Sequence, residues 1–293
     1  MKRVIQINIG VDIGGNHIGI GIIDEQNNIV KKEITDYINN EVTADQILNV
    51  LNDFLKNNNM SGVNFIGIGI PGVATNTFIN YTCNMPLSNV EIRDYVHTEL
   101  PIKVSNDANC AALAEYTLGI YESVKNFALV TVGTGIGGGI VINNKLYTGS
   151  SNSAAELGHM IIEKEGLKCN CGRRGCFEQY ASVTALKRLT NLDTLEEIFY
   201  LLDKKNPVIL DVFDKYLESL SEGLANLVNI LDLDMLVIGG SISEYRDKFL
   251  SLLEEKIRSK LYNKINSKFR LETAKFSNDA GIIGASLLEK EEI

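Results

Sequence analysis

The sequence predicts an α/β fold built in two parts, and three observations carry that expectation. Short β-type apolar runs alternate with amphipathic helical patterns through the first hundred residues, and the alternation restarts at Phe127. A glycine-rich hairpin stands near the front of each stretch. The length of 293 residues also reaches the ~250–300 at which a single hydrophobic core stops growing.

Taken in order, residues 4–11 are apolar, 18–23 alternate with glycines, and 29–34 follow the polar turn Asp24-Glu25-Gln26-Asn27-Asn28. That is the pattern of three antiparallel strands. A helix is expected over 45–56, where Ile47, Leu48, Leu51, Phe54 and Leu55 share one face and Thr43 or Asp45 supplies the cap. Residues 64–70 read as a buried strand stopped by Pro71-Gly72. Ser88-Asn89-Val90-Glu91 has the form of a capping box and predicts a short helix to about Glu99. Residues 102–105 then read as a strand and 107–118 as an alanine-rich helix.

In the second stretch 127–132 is a strand, 133–139 a glycine loop, 140–142 another strand and Asn143-Asn144 a turn. Helices follow over about 182–189, 194–202 and 211–232, then a strand at 235–238 that ends in Gly239-Gly240. A helix over 245–261, a strand at 270–276 and a last helix from near Ala280 complete the chain. No linker rich in proline or serine separates the stretches, so the division is expected inside packed structure, near residues 107–110.

Residues 9–24 and 129–143 each run strand, glycine turn, strand, polar turn. The echo is that of two related halves, or of two glycine-rich hairpins that merely look alike. Gly67-Ile-Gly69-Ile-Pro-Gly72 and Gly133-Thr-Gly135-Ile-Gly-Gly138 match the dinucleotide fingerprint, but no helix pattern follows either, and no Walker A sequence occurs. What remains is turns of nearly bare backbone, whose N–H groups can wrap phosphate oxygens. Asp12, just before the first turn, is placed to meet a divalent cation bridging such phosphates. Asp107 follows a strand and opens a helix, which puts it where ligands gather in α/β sheets and equally where an N-cap aspartate belongs.

Composition excludes several classes. A net charge of −9 without a basic stripe argues against nucleic acid as a partner. No run of ~18 apolar residues exists to span a membrane, and Gln6, Asn8 and Asp12 make the N-terminus a poor signal peptide. Of five cysteines, three fall within 169–176, which reads as a metal knot in a reducing, cytoplasmic setting rather than a disulfide framework. His159, Cys169, Cys171 and Cys176 make a Cys₃His set for structural, tetrahedral zinc, with Gly172 and Gly175 letting the chain fold back. Cys83 and Cys110 lack metal spacing and read as small buried hydrophobes. His17, at a hairpin, and His97, on a helix face, are given no role.

Asp12-Ile-Gly-Gly, Pro71-Gly72, Asn106-Asp107-Ala-Asn109, Thr131 to Gly139, Glu156-Leu-Gly-His159, Cys169-Asn-Cys-Gly-Arg-Arg-Gly-Cys176-Phe-Glu178, Val237-Ile-Gly-Gly240 and Asp279-Ala-Gly-Ile-Ile-Gly284 occur in that order. Together, over nearly the whole chain, they resemble the ROK family of sugar kinases and sugar-sensing repressors. The resemblance implies the actin-like (ribonuclease H-like) ATPase fold, two α/β domains closing over a cleft. It places 1–108 with 279–293 in a smaller domain and 109–278 in a larger one that carries the zinc motif. The departures are Asn16 and Gly19, where members often carry threonine and a basic residue, and Ala155, where glycine usually precedes the glutamate.

What the resemblance implies about function is specific. It makes the chain an ATP-dependent kinase of a hexose primary hydroxyl, with glucose foremost and N-acetylmannosamine, allose, fructose and β-glucosides as rivals. Asp107 is then the catalytic base. Gly72, Asn84, Asn106, Asp107, Glu156, His159 and Glu178 contact the sugar, with zinc fixing His159 and Glu178 from behind. Asp12, Gly14, Gly15, Asn16, Thr134, Gly135, Gly239 and Gly240 hold ATP with Mg²⁺. A homodimer or homotetramer is expected. A family repressor would carry a winged helix-turn-helix before the first hairpin strand, for which a start at Val4 leaves no room. A sugar-binding protein without catalysis is the remaining alternative, against which Asp107 stands.

Overall fold

Isoleucine and valine dominate the strands, because their branched side chains fit a buried pleat. The structure, a computed structural model, describes residues 7–38, 41–82, 85–119, 121, 123–262 and 269–291. It divides into two compact units, Met1–Ile120 with Lys145–Ala154 and Asn278–Ile293, and Tyr121–Asn144 with Ala155–Ser277. Asp107–Leu118 continues as one helix inside the first unit, so the units part after it rather than at residues 107–110.

In the first unit β1 (Ile7–Ile13), β2 (His17–Ile23) and β3 (Ile29–Asp36) form the expected antiparallel meander. β4 (Val63–Ile70) and β8 (Ile102–Asn106) add parallel to β1, giving the order β3-β2-β1-β4-β8. A small sheet holds β5 (Gly72–Thr75), β6 (Phe78–Thr82) and β7 (Val90–Glu91), and β11 (Lys145–Leu146) lies in the unit's inserted segment. Helix α1 (Ala44–Asn57) starts at a reciprocal box: the Thr43 hydroxyl accepts from Gln46 N–H, and the Gln46 side chain accepts from Thr43 N–H. Its Ile47, Leu48, Leu51 and Phe54 are buried.

The capping box at Ser88 does not open a helix. The Ser88 hydroxyl instead accepts from Thr82 N–H at 2.9 Å, Asn89 turns left-handed, and Val90 pairs with Ile79, leaving only a 3₁₀ turn at Ile92–Asp94. His97 therefore lies beyond a turn and not on a helix face; its N–H donates to Asn52 Oδ1.

Helix α2 (Asp107–Leu118) and the C-terminal α8 (Ala280–Ser286) pack on this sheet. Glycines let α8 come down to backbone contact. A Cβ on Gly10 would stand 1.8 Å from the Ile282 carbonyl oxygen, one on Gly67 1.7 Å from that of Ala285, and one on Gly284 1.6 Å from that of Cys110. All seven residues of α8 are buried.

In the second unit β9 (Phe127–Val132) and β10 (Ile136–Ile142) are antiparallel, and β12 (Met235–Gly239) and β13 (Arg270–Thr273) follow in parallel, in the order β10-β9-β12-β13. The expected loop over 133–139 shrinks to its first residues. Gly137, Gly138 and Gly139 pair with Thr131, Val130 and Leu129, and a Cβ on Gly138 would meet Leu157 at 2.3 Å. Helices α3 (Glu178–Ala181), α4 (Val183–Thr190), α5 (Leu195–Asp203), α6 (Pro207–Leu231) and α7 (Arg246–Lys260) complete the unit. Helix α6 starts earlier than 211, with Pro207 in its first turn, where a missing N–H costs nothing. Its Phe213, Tyr216, Leu220 and Leu224 enter a core with Phe177 and Phe249. Among the described residues no helix is long and apolar enough to cross a membrane.

Candidate functional site

In the first unit the chemistry collects at one edge of the sheet. Asp12 pairs with Gly69, and Gly69 with Ser105, so three parallel strands end in line. Two strand spacings set Asp12 and Ser105 about 10 Å apart. Just past those ends come Gly72, Asn106 and Asp107. Gly69 allows α2 to close on the sheet, a Cβ there falling 3.4 Å from the Asp107 Cα. Cys110, fully buried as expected, feels both carboxylates: burial first, then the charges of Asp12 and Asp107, push its thiol well above the ordinary range. Cys83 lies outside the described residues.

Burial pushes the Asp12 carboxyl up to about 6, against the pull of the Lys32 ammonium. Lys32 comes from the next strand but one, in register with Gly21, and pairs with Asp279. Gly281 leaves room over the carboxylate, since a Cβ there would stand 2.5 Å from Asp12 Oδ2.

The cap of α2 is Asn106 rather than Asp107. Asn106 Oδ1 accepts from the N–H groups of Ala108 (2.9 Å) and Asn109 (3.2 Å), and its Nδ2 donates to the Gly72 carbonyl (3.3 Å). Asp107 Oδ1 accepts from Ala108 N–H at 2.8 Å. Asn84 lies outside the described residues. In the first hairpin Gly14 N–H donates to His17 O, and Gly15 and Asn16 are exposed at the tip. His17 Nδ1 sits 3.2 Å from Asn16 Oδ1.

In the second unit Thr134 and Gly135 form the turn between β9 and β10, and Gly133 N–H closes it on the Gly135 carbonyl. Gly239 and Gly240 run alongside: Gly239 pairs with Thr131, and a Cβ on Gly240, at φ +79°, would stand 2.4 Å from the Val132 carbonyl oxygen. Glu178 reaches the same turn, its Oε2 accepting from Ile136 N–H at 3.5 Å.

The ligand atoms of His159, Cys169, Cys171 and Cys176 all lie within 4.8 Å of one another. A tetrahedron with Zn–S bonds of ~2.3 Å has edges near ~3.8 Å. The sulfurs of Cys171 and Cys176 are 3.6 Å apart, and Cys169 Sγ lies 3.6 Å from His159 Nδ1, so the donor set fits zinc. Gly172 (φ +86°) and Gly175 (φ +81°) make the fold-back, and at Gly175 a Cβ would strike the Glu163 carbonyl. Cys169 also lies 3.5 Å from Glu178 Oε1, so one carboxylate touches both the knot and the hairpin. Because Nδ1 faces the thiols, Nε2 is the nitrogen left to His159 for other work.

Glu156 precedes a 3₁₀ turn, Leu157–His159, that passes over β10 where Gly158 leaves space. Ala155 adopts φ +65°, a left-handed conformation that costs a non-glycine residue about 1–2 kcal/mol. That is a physical reason for glycine at this position. Sequence reading did not single out Lys32 or Tyr37. Tyr37 donates its hydroxyl to the Gly14 carbonyl and its N–H to Asn16 O, and burial pushes its phenol up to about 12. Only strand pairing brings both residues to the hairpin, and no sequence spacing signals it.

The family model described as the ROK family matches residues 8–292. The glucokinase of Halalkalibacterium halodurans is 32% identical over 313 residues, covering 97% of this chain and 95% of its own. The N-acetylmannosamine kinase of Haemophilus influenzae is 38% identical over 199 residues, 67% of this chain and 65% of its own. A solved ROK family glucokinase from Streptomyces griseus, in complex with glucose and AMPPNP, matches with a TM-score of 0.78 at 30% identity, over 96% of this chain and 98% of that one. The two units are thus those of the two-domain actin-like ATPase fold.

Proposed function

The chain belongs to the ROK family and is an ATP-dependent sugar kinase, and from that premise we propose that it phosphorylates the primary hydroxyl of a hexose, with glucose as the acceptor. The observation that carries the reading lies in the first unit. Two carboxylates, Asp12 and Asp107, stand at one strand edge beside a glycine turn whose Gly15 N–H has no partner among the described residues.

Their environments fit different tasks. Asp107 takes the proton from the sugar's primary hydroxyl as that oxygen attacks the γ-phosphorus of ATP, and ADP leaves. Asp12, buried and short of partners for its charge, is the group that would hold Mg²⁺, which neutralises phosphate charge when bound. The N–H groups of Gly15 and Asn16, and those of Thr134 and Gly135, bind phosphate oxygens, while Gly14 N–H closes its turn on the His17 carbonyl, and Gly239-Gly240 admits the nucleoside by close backbone approach.

Gly72, Asn84, Asn106, Glu156, His159 and Glu178 bind and orient the remaining sugar hydroxyls. Zinc on His159, Cys169, Cys171 and Cys176 would be structural, all four positions being filled by protein. The charge of −9 and the glucokinase likeness support a cytoplasmic enzyme of small molecules, without nucleic acid or membrane as partner. The likeness to an N-acetylmannosamine kinase supports that amino sugar as the second reading.

A panel of hexoses and N-acetylhexosamines, screened by ADP release with Mg-ATP, tests the assignment. Glucose should give the highest kcat/KM. A higher value for N-acetylmannosamine would transfer it to the second reading, and no ADP with any sugar would overturn both.

A further inference from the structure

The two phosphate hairpins are pinned from behind by hydroxyl and backbone N–H donors of residues that belong to neither hairpin. In the second unit Val183 N–H donates to the Gly133 carbonyl at 2.8 Å, and the Thr184 hydroxyl donates to the Thr134 carbonyl at 2.7 Å. Val183 and Thr184 are the first two residues of α4, whose N-cap Ser182 is itself fixed by accepting from Ala185 N–H. In a planar trans peptide the C=O of one residue and the N–H of the next point in opposite directions. Holding the carbonyls of Gly133 and Thr134 toward α4 therefore turns the N–H groups of Thr134 and Gly135 away from it. Neither N–H has a hydrogen-bond partner among the described residues, and Thr134 is exposed.

The first unit repeats the device with different chemistry. There the Tyr37 hydroxyl donates to the Gly14 carbonyl, which turns Gly15 N–H the other way, and Tyr37 N–H holds the Asn16 carbonyl. Gly15 N–H likewise has no partner among the described residues.

We propose that Thr184 and Tyr37 are positioning residues for the phosphoryl donor: each fastens the carbonyl side of one glycine turn so that its amides stay aimed at phosphate. The inference rests on the nucleotide-binding reading of the hairpins. Preorganisation is the physical gain, because amides already aimed need no reorganisation when the anion arrives.

The test uses the full chain with Thr184→Val, Thr184→Ser and Tyr37→Phe, reading KM for ATP, KM for the sugar, AMPPNP affinity by calorimetry, and Tm. One lost hydrogen bond of ordinary strength should raise the KM for ATP and the AMPPNP Kd about five- to tenfold in Thr184→Val and Tyr37→Phe. The sugar KM should stay within about twofold, and Thr184→Ser, which keeps the hydroxyl, should return to wild-type values. Unchanged nucleotide parameters in Thr184→Val would overturn the proposal. A rise in both KM values together with a fall in Tm would do so too, since that marks a merely structural contact. Wild-type protein that binds no AMPPNP would sink the nucleotide reading itself and the inference with it.

Discussion

Asp107 and Asp12 differ in what surrounds them, and each difference makes a prediction. Asp107 opens a helix whose cap is already supplied by Asn106, so its carboxylate is not needed to satisfy the helix end. Asp107→Ala should therefore lower kcat by about 10²–10⁴ while leaving sugar affinity by calorimetry and Tm near wild type. A kcat within tenfold of wild type would remove Asp107 from the chemistry. Asp12 is pushed up to about 6 from 3.8 by burial, so the folded state holds its proton more tightly than the unfolded chain. Stability accordingly falls as pH rises between about 4 and about 6, and the cost, as much as ~3 kcal/mol, is fully present at pH 7. Asp12→Asn should raise Tm at pH 7, lose that advantage near pH 4, and abolish Mg-ATP turnover. A lower Tm at pH 7 would contradict the picture of a carboxylate kept charged for its ligand.

The zinc knot and the glycine hairpins are the elements on which the site is built. Cys171→Ser should release zinc, measured by elemental analysis, and lower activity with it, because His159 and Glu178 are both held against the thiols. Stoichiometric zinc in that variant would refute the ligand set. Much at this scale was legible in the sequence. Helix α1 was readable because Ile47, Leu48, Leu51 and Phe54 recur on one face behind a capping residue, and α2 because a strand, an Asn-Asp pair and an alanine run precede and fill it. The cysteine knot was readable because glycines 172 and 175 sit where the fold-back needs them. Ser88 misled because its hydroxyl goes to Thr82, a choice made by the β6 backbone and invisible to local spacing. The extent of β10 was missed because three glycines read as a loop, when all three pair with β9 and the middle one, Gly138, leaves room for Leu157. Tyr37 and Thr184 act across 23 and 50 residues of chain, so no motif announces them.

At the scale of the whole molecule, we propose a homodimer or homotetramer, as the family resemblance implies. Sedimentation should give a multiple of the 32.3 kDa chain mass, and a species at that mass alone would contradict it. The central claim is transfer of phosphate from ATP to a hexose, and product stoichiometry tests it most directly. With glucose and Mg-ATP, phosphorus NMR should record one ADP for each glucose 6-phosphate formed. ADP accumulating without a sugar phosphate would contradict the account.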